Sequence, residues 1–140
     1  MFYAAYVHID PDGSASGSFP DVPGCFFAGD TFEETMADAK SALEAHFELI
    51  VDSGQDIPES TGVMGTAMNA LSQGKETGGI WAVVDIDTTK FMGKAERINI
   101  TLPHLLITKI DRMVSKNAKY GSRSHFLAEA AIKVMHQETN

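Results

Sequence analysis

The sequence predicts an α+β protein in two unlike parts, a sheet with one long helix packed on it and, after it, a strand followed by two helices. Three observations lead there. Aromatic and β-branched runs bounded by turn residues alternate with segments of helical period. The signs of charge are segregated: the chain carries 11 Lys and Arg against 19 Asp and Glu, a net of −8, yet residues 1–90 hold three cations and 15 acids while residues 91–140 hold eight cations and four acids. Finally, residues 97–102 alternate polar and apolar over six positions directly before a proline and a new helical pattern. The boundaries drawn from these signals are a first domain at 1–88, a linker at 89–95 and a second domain at 96–140.

In the first part, residues 2–9 read as a strand that ends at Asp10-Pro11-Asp12-Gly13, a strong turn signal, and residues 14–19 return as the second strand of a hairpin. Pro20-Asp-Val-Pro-Gly24 is a stiff connector, and residues 25–28 form a third short strand before the Gly29-Asp30 turn. Thr31 caps a helix of about 20 residues, with Glu34 completing a capping box, and Glu33 and Glu34 suit the helix dipole. Its apolar stripe is Met36, Ala39, Leu43, Phe47 and Ile50 or Val51, and it stops at Ser53-Gly54. Residues 63–71 hold a short helix and residues 74–79 a glycine-rich link. The near-continuous apolarity of residues 80–86 predicts a strand in a central position.

In the second part, Ile98, Ile100 and Leu102 point one way along a strand, and Arg97, Asn99 and Thr101 the other. Pro103 fits the first turn of a helix whose apolar positions are Ile107, Ile110 and Val114, with Leu106 and Met113 beside them. Residues 117–121 break that helix, with Gly121 available for a left-handed cap, and Ser122 caps another whose face is Phe126, Leu127, Ala130, Ala131 and Val134. About 45 residues bury too small a core to fold alone, and a lone strand leaves its backbone groups unpaired. The economical solution is a homodimer in which two copies of the strand pair as an antiparallel ribbon over a shared four-helix core.

Such a ribbon presents Arg97, Asn99 and Thr101 from both chains on its outer face, and it fits the major groove of B-DNA, where these side chains can hydrogen-bond base edges. Lys94, Ser122, Arg123 and Ser124 are the phosphate-contacting candidates, the last three because they open a helix whose first amides are unpaired. The string Arg97-Ile-Asn-Ile-Thr-Leu-Pro103, the amphipathic helix after it and Tyr120-Gly-Ser-Arg-Ser124 resemble the ribbon-helix-helix DNA-binding domains over the last third of the chain. A β-α-α tail completing a larger sheet is the plainer alternative.

An acidic first part is repelled by nucleic acid, so the two halves call for different partners, DNA for one and a basic protein for the other. Cys25 stands alone, which excludes an internal disulfide and a cysteine zinc cluster. No apolar run approaches a membrane span, and the N-terminus lacks the basic residues of a signal peptide, so a cytoplasmic protein is expected. Asp10, Asp12, Asp85 and Asp87 are the carboxylates from which a two-magnesium nuclease centre would be built, but Asp is commonplace in a Pro-Gly turn. The five histidines are scattered, with His8 and His46 the pair that could meet between helix and sheet. Neither set is read as a site: no enzyme activity, metal or cofactor is expected.

Residues 17–34, Gly-Ser-Phe-Pro-Asp-Val-Pro-Gly-Cys-Phe-Phe-Ala-Gly-Asp-Thr-Phe-Glu-Glu, followed by the long helix and Gln55-Asp-Ile-Pro58, resemble the HicB antitoxin family over roughly residues 3–60. With the ribbon-helix-helix tail the whole chain is similar to HicB. The resemblance implies a partial RNase H-like fold in the first domain, a small basic HicA-like toxin that cleaves mRNA as partner, and repression of the shared operon. Asp10, Asp12, Asp21 and Asp30 are candidates for an acidic rim that steers such a toxin, with Phe19 and Phe26 as apolar anchors; the alternative for the two rings is the core. Pairing of dimers into a dimer of dimers would place two ribbons on successive half-sites of a palindromic operator. The runner-up is a ligand- or metal-sensing ribbon-helix-helix repressor.

Overall fold

The computed structural model describes residues 1–75 and 78–139. The chain divides into two compact units, residues 1–87 and 88–140.

The first unit is a four-stranded antiparallel sheet with two helices. Its elements are β1 (Phe2–Ile9), β2 (Ala15–Ser18), β3 (Phe26–Gly29), α1 (Phe32–Asp52), α2 (Val63–Ser72) and β4 (Ile80–Asp85), and the strand order is β3-β2-β1-β4. The hairpin closes as the turn residues dictate. Gly13 takes φ 92° and donates its N–H to the Asp10 carbonyl, while Asp12 accepts both the backbone N–H and the hydroxyl of Ser14, as Asp in a turn commonly does. Register then sets Tyr6 opposite Ser18 and Val7 opposite Gly17. Gly17 has to be glycine, because a Cβ there would lie 2.3 Å from the Tyr6 carbonyl oxygen and 2.5 Å from the Phe27 ring.

β1, not β4, is the central strand. Tyr3, Ala4, Ala5, Tyr6 and Val7 are all buried, so both faces of β1 are covered. β4 pairs with β1 alone and forms a sheet edge, with Ile80 and Val83 exposed. This corrects the central position expected from its apolar run: β1 already has neighbours on both sides, and an edge strand with one covered face can be as apolar as an interior one.

α1 starts as its caps require, with the Glu34 N–H donating to the Thr31 side chain at 3.2 Å. Its buried line is Thr35, Ala39, Leu43 and Phe47, at strict four-residue spacing. Thr35 takes the place expected of Met36, and its hydroxyl is satisfied 2.7 Å from the Thr31 carbonyl oxygen and 3.3 Å from that of Ala15. Phe47 meets Tyr3 edge-on with ring centres 5.2 Å apart, which places α1 on the Tyr3, Ala5, Val7 face of β1. Truncating a ring in this position costs about 3–5 kcal/mol. The connector also belongs to the core: Phe19, Val22 and Cys25 are buried and bonded to one another through the backbone.

The second unit contains a 3-10 turn (Thr88–Phe91), α3 (His104–Lys116) and α4 (Arg123–Thr139), with the turn and α3 each packing on α4. Pro103 stands at the N-cap of α3, one residue before its first turn. α3 closes at Asn117 in an extended conformation, φ −125° and ψ 108°, and Gly121 does not take the left-handed cap expected of it. Ile110 is the one buried residue of α3, and α4 has none. Phe126, Leu127 and Ala130 are half-buried, while Ala131 and Val134 face solvent. Residues 97–102 lie outside any strand within this chain. The physical reason is that a strand exists only with a neighbour to pair with, and the sheet of the first unit takes its four strands from residues 2–85.

Candidate functional site

Three surfaces carry the residues singled out above. The first is the segment before α3. Arg97, Asn99 and Thr101 are exposed, and so are Ile98 and Ile100, at 73% and 57%. Two neighbouring β-branched residues turned to water in a segment without secondary structure make an apolar patch that a partner could cover. The segment has the alternation of a strand and pairs with no strand among the described residues.

The second surface is the start of α4. Ser122 accepts the His125 N–H at 3.0 Å, a side-chain cap that leaves the first amides of the helix pointing outward beside exposed Ser124. Arg123 is committed elsewhere. Its guanidinium grips the Asp111 carboxylate in two-pronged fashion, Nε to Oδ1 at 2.9 Å and Nη2 to Oδ2 at 2.7 Å. Those hydrogen bonds hold the Asp111 carboxyl below the usual carboxylate range and raise the guanidinium. Arg123 therefore ties the middle of α3 to the start of α4. Around it, Tyr120 packs on Phe126 with centres 5.0 Å apart and Lys119 lies 5.7 Å over the Tyr120 ring. Lys94 is exposed.

The third surface is on the sheet unit, and here the six partner-facing candidates separate. Asp10, Asp12 and Asp30 are exposed, and the two hydrogen bonds from Ser14 hold the Asp12 carboxyl low. Phe26 is 72% exposed, whereas Phe19 is 1% exposed and packs on Phe27 at 5.2 Å. Phe19 is thus a core residue rather than the surface anchor expected of it, because the connector folds back under the sheet. Asp21 is half-buried. It accepts the Thr61 N–H at 2.9 Å and the Thr61 and Thr66 hydroxyls at 3.0 and 2.7 Å, so it clamps the connector to the start of α2. Phe26 instead borders an open groove of about 560 Å³ lined by Tyr6, His8, Ser16, Ser18 and Asp38. Asp38 also accepts the Ala28 N–H at 3.0 Å, covering a donor on the edge of β3.

Two other expectations are decided by strand direction. Asp85 sits opposite Phe2, at the far end of β1 from Asp10, roughly 25 Å away at about 3.4 Å per residue, so the four carboxylates do not assemble. His8 shares the Ala4 and Tyr6 face, opposite the one that α1 covers, and does not meet His46. Burial, with Asp38 nearby, raises the Cys25 thiol. Burial pushes Tyr3 above the ordinary phenol range, with Asp21 and Glu59 adding to it, and the hydroxyl donates to the Pro58 carbonyl at 2.7 Å. No helix among the described residues is long and apolar enough to cross a membrane.

A surface the sequence reading passed over lies on α2, where Met64, Met68 and Leu71 are exposed along one face. Their i, i+4, i+7 spacing was visible in the chain; that they face outward was not.

Comparison with known proteins agrees with this architecture. The profile of the family described as HicB-like antitoxin of bacterial toxin-antitoxin system matches residues 3–131. A 14.9 kDa protein of the rep-hol intergenic region of Haemophilus phage HP1 is 42% identical over 131 residues, 94% of this chain and 95% of that protein. The crystal structure of the Burkholderia pseudomallei antitoxin HicB superposes with a TM-score of 0.69 at 28% identity, covering 96% of this chain and 98% of that one. A chain of a HicA3 and HicB3 toxin-antitoxin complex matches at a TM-score of 0.50 and 30% identity, covering 61% of this chain and 96% of that one.

Proposed function

The chain belongs to the HicB-like antitoxins of bacterial toxin-antitoxin systems, and from that premise we propose that it neutralises a small, basic, HicA-like mRNA-cleaving toxin by direct binding and represses its own operon. The observation that carries the reading is the family match across residues 3–131, which takes in both units. The toxin docks on the acidic sheet unit. Phe26 supplies an apolar anchor at the rim of the groove, Asp38 a carboxylate within it, and Asp10, Asp12 and Asp30 an exposed acidic field that speeds encounter. Phe19 from the core and Asp21 through its bonds to Thr61 and Thr66 hold that surface in shape.

The second unit acts as a ribbon-helix-helix dimer, with residues 89–95 as the linker and residues 96–140 as the DNA-binding domain. Pairing residues 97–102 with a second copy satisfies the backbone and removes Ile98 and Ile100 from water, which at about 25 cal/mol per Å² of apolar surface is a substantial drive. Arg97, Asn99 and Thr101 then face base edges, and Lys94, Ser124 and the amides capped at Ser122 face phosphates. Two such dimers occupy successive half-sites.

The test is the intact mass of what co-purifies with the tagged chain from its host under gentle conditions, followed by mobility-shift titration on the promoter of its own operon. A stoichiometric small basic protein and a shifted promoter fragment are expected. A chain that carries no such protein and leaves that promoter unshifted overturns the reading.

A further inference from the structure

The outer edge of β3 carries hydrogen-bond acceptors that the fold itself leaves unused. The Ala28 N–H donates to Asp38 at 3.0 Å instead of to β2, so it points away from the sheet. In an antiparallel strand the carbonyl of a residue points to the same side as its N–H, and residues two apart point alike. The Ala28 and Phe26 carbonyls therefore face outward as well, and no hydrogen bond among the described residues ends on either. Asp38 is exposed, spends one oxygen on the Ala28 N–H and enters no ion pair among the described residues. Residues 1–39 contain no Lys or Arg, and Lys40, two positions along α1 from Asp38, does not share its face. A carboxylate and two carbonyls thus meet at this edge without a cation.

The same groove offers a ring. Phe26 pairs with Ser18 and Ala28 with Ser16, so all four side chains stand on one face of the sheet, and Phe26, 72% exposed, leaves its ring open to a ligand. An open aromatic face beside such acceptors suits one side-chain chemistry better than any other. A guanidinium is planar, carries five N–H donors and no acceptor, and stacks on aromatic rings while it forks onto a carboxylate. An ammonium reaches Asp38 as a point charge, but it holds its water and has no plane to lay on the ring. An anion is repelled by Asp38, and an apolar group would strip water from the acceptors without replacing it.

We infer that the groove is a guanidinium subsite, which takes one arginine side chain from the surface of a bound protein. The guanidinium lies on Phe26, forks onto Asp38 and directs its remaining donors at the Ala28 and Phe26 carbonyls. The groove is open and holds about 560 Å³, within the roughly 300–1,000 Å³ of ligand sites, so a side chain enters it from a docked surface. The inference rests on the toxin-binding reading for the protein that brings the arginine, and goes beyond it in naming the group that is read. It also gives Asp38 a discriminating role. A partner with lysine at the same place keeps the attraction and loses the fork and the stack, whereas one with an acid there leaves two carboxylates face to face.

The subsite is tested on the full-length chain with N-acetyl-arginine methylamide, followed by backbone amide shifts in NMR spectra at constant ionic strength. Saturable shifts centred on Phe26, Ala28 and Asp38 are expected, with N-acetyl-lysine methylamide bound about two- to fivefold more weakly. Asp38→Asn keeps an oxygen for the Ala28 N–H, so the edge of β3 stays covered, and it should weaken the arginine probe about tenfold. Phe26→Leu keeps the apolar bulk at an exposed position and should bring the two probes to equal affinity. Equal affinities in the parent, no saturable shift at these residues, or an Asp38→Asn variant that binds the arginine probe as the parent does each overturn the subsite. The same variants separate it from the wider reading. A co-purifying basic protein that binds the parent, Asp38→Asn and Phe26→Leu alike refutes the subsite and leaves the antitoxin reading standing. Probe binding as expected, from a chain that retains no such protein, supports the subsite and refutes the toxin as its occupant.

Discussion

Replacing Asp21 with alanine removes the acceptor of three hydrogen-bond donors at once, the Thr61 N–H and the Thr61 and Thr66 hydroxyls. The Thr66 bond lies in a site where Thr66 itself is 2% exposed, and a hydrogen bond to a charged group there is worth about 1.5–3 kcal/mol. The Thr61 bonds are solvent-facing and add about 0.5–1 kcal/mol. The expected loss is therefore about 2–4 kcal/mol, a fall in Tm of roughly 10–30 °C for a unit of this size. Asp21→Asn keeps one acceptor oxygen and should lose about half as much. Thermal unfolding followed by circular dichroism reads the loss, and a double-mutant cycle with Thr66→Val should return a coupling of at least about 1 kcal/mol, because the two side chains are in contact. Toxin neutralisation, measured well below both melting temperatures, should survive. A Tm change of less than about 3 °C would refute the structural role; full folding with lost neutralisation would return Asp21 to the interface.

The remaining predictions concern DNA and pH. Asn99→Ala should reduce affinity for the operator by about 1–3 kcal/mol and relax base preference at one position of each half-site, with toxin neutralisation intact; equal losses on all sequences would contradict base readout. Lys94→Ala should weaken binding uniformly and lower the slope of log K against log salt by about 1. Arg123→Ala should instead act through the α3–α4 turn, lowering thermal stability with little change in that slope, because its guanidinium is already held by Asp111. For Tyr3, the folded phenol titrates above the unfolded one, which lies near 10. Its contribution to stability is fully present below about pH 10, and it is lost as pH rises further, since the unfolded chain then holds fewer protons than the folded one. Tm should fall more steeply between pH 10 and 12 in the parent than in Tyr3→Phe, and parallel curves would remove the linkage.

What the chain determines by itself is whatever neighbours in sequence can settle. The Asp10–Gly13 turn, the Thr31 cap and the four-residue period of α1 are local, and each element stands where its residues predict. The alternation over residues 97–102 is equally legible, and so is the mismatch between a short apolar C-terminal unit and the core it needs. Tertiary structure decided which faces are covered. Phe26 and Phe27 are adjacent and chemically identical, yet one is in solvent and the other in the core, because register with β2 sets Phe27 against Gly17. β4 and β1 are both apolar runs, and only the pairing of β1 on two sides makes it central. Asp21 looked like a surface carboxylate because its partners, Thr61 and Thr66, lie 40 and 45 residues away. The outward turn of Met64, Met68 and Leu71 has the same origin. A period of 3.6 says that a helix has an apolar side, but only the packing of the rest of the chain decides whether that side is the one the fold conceals.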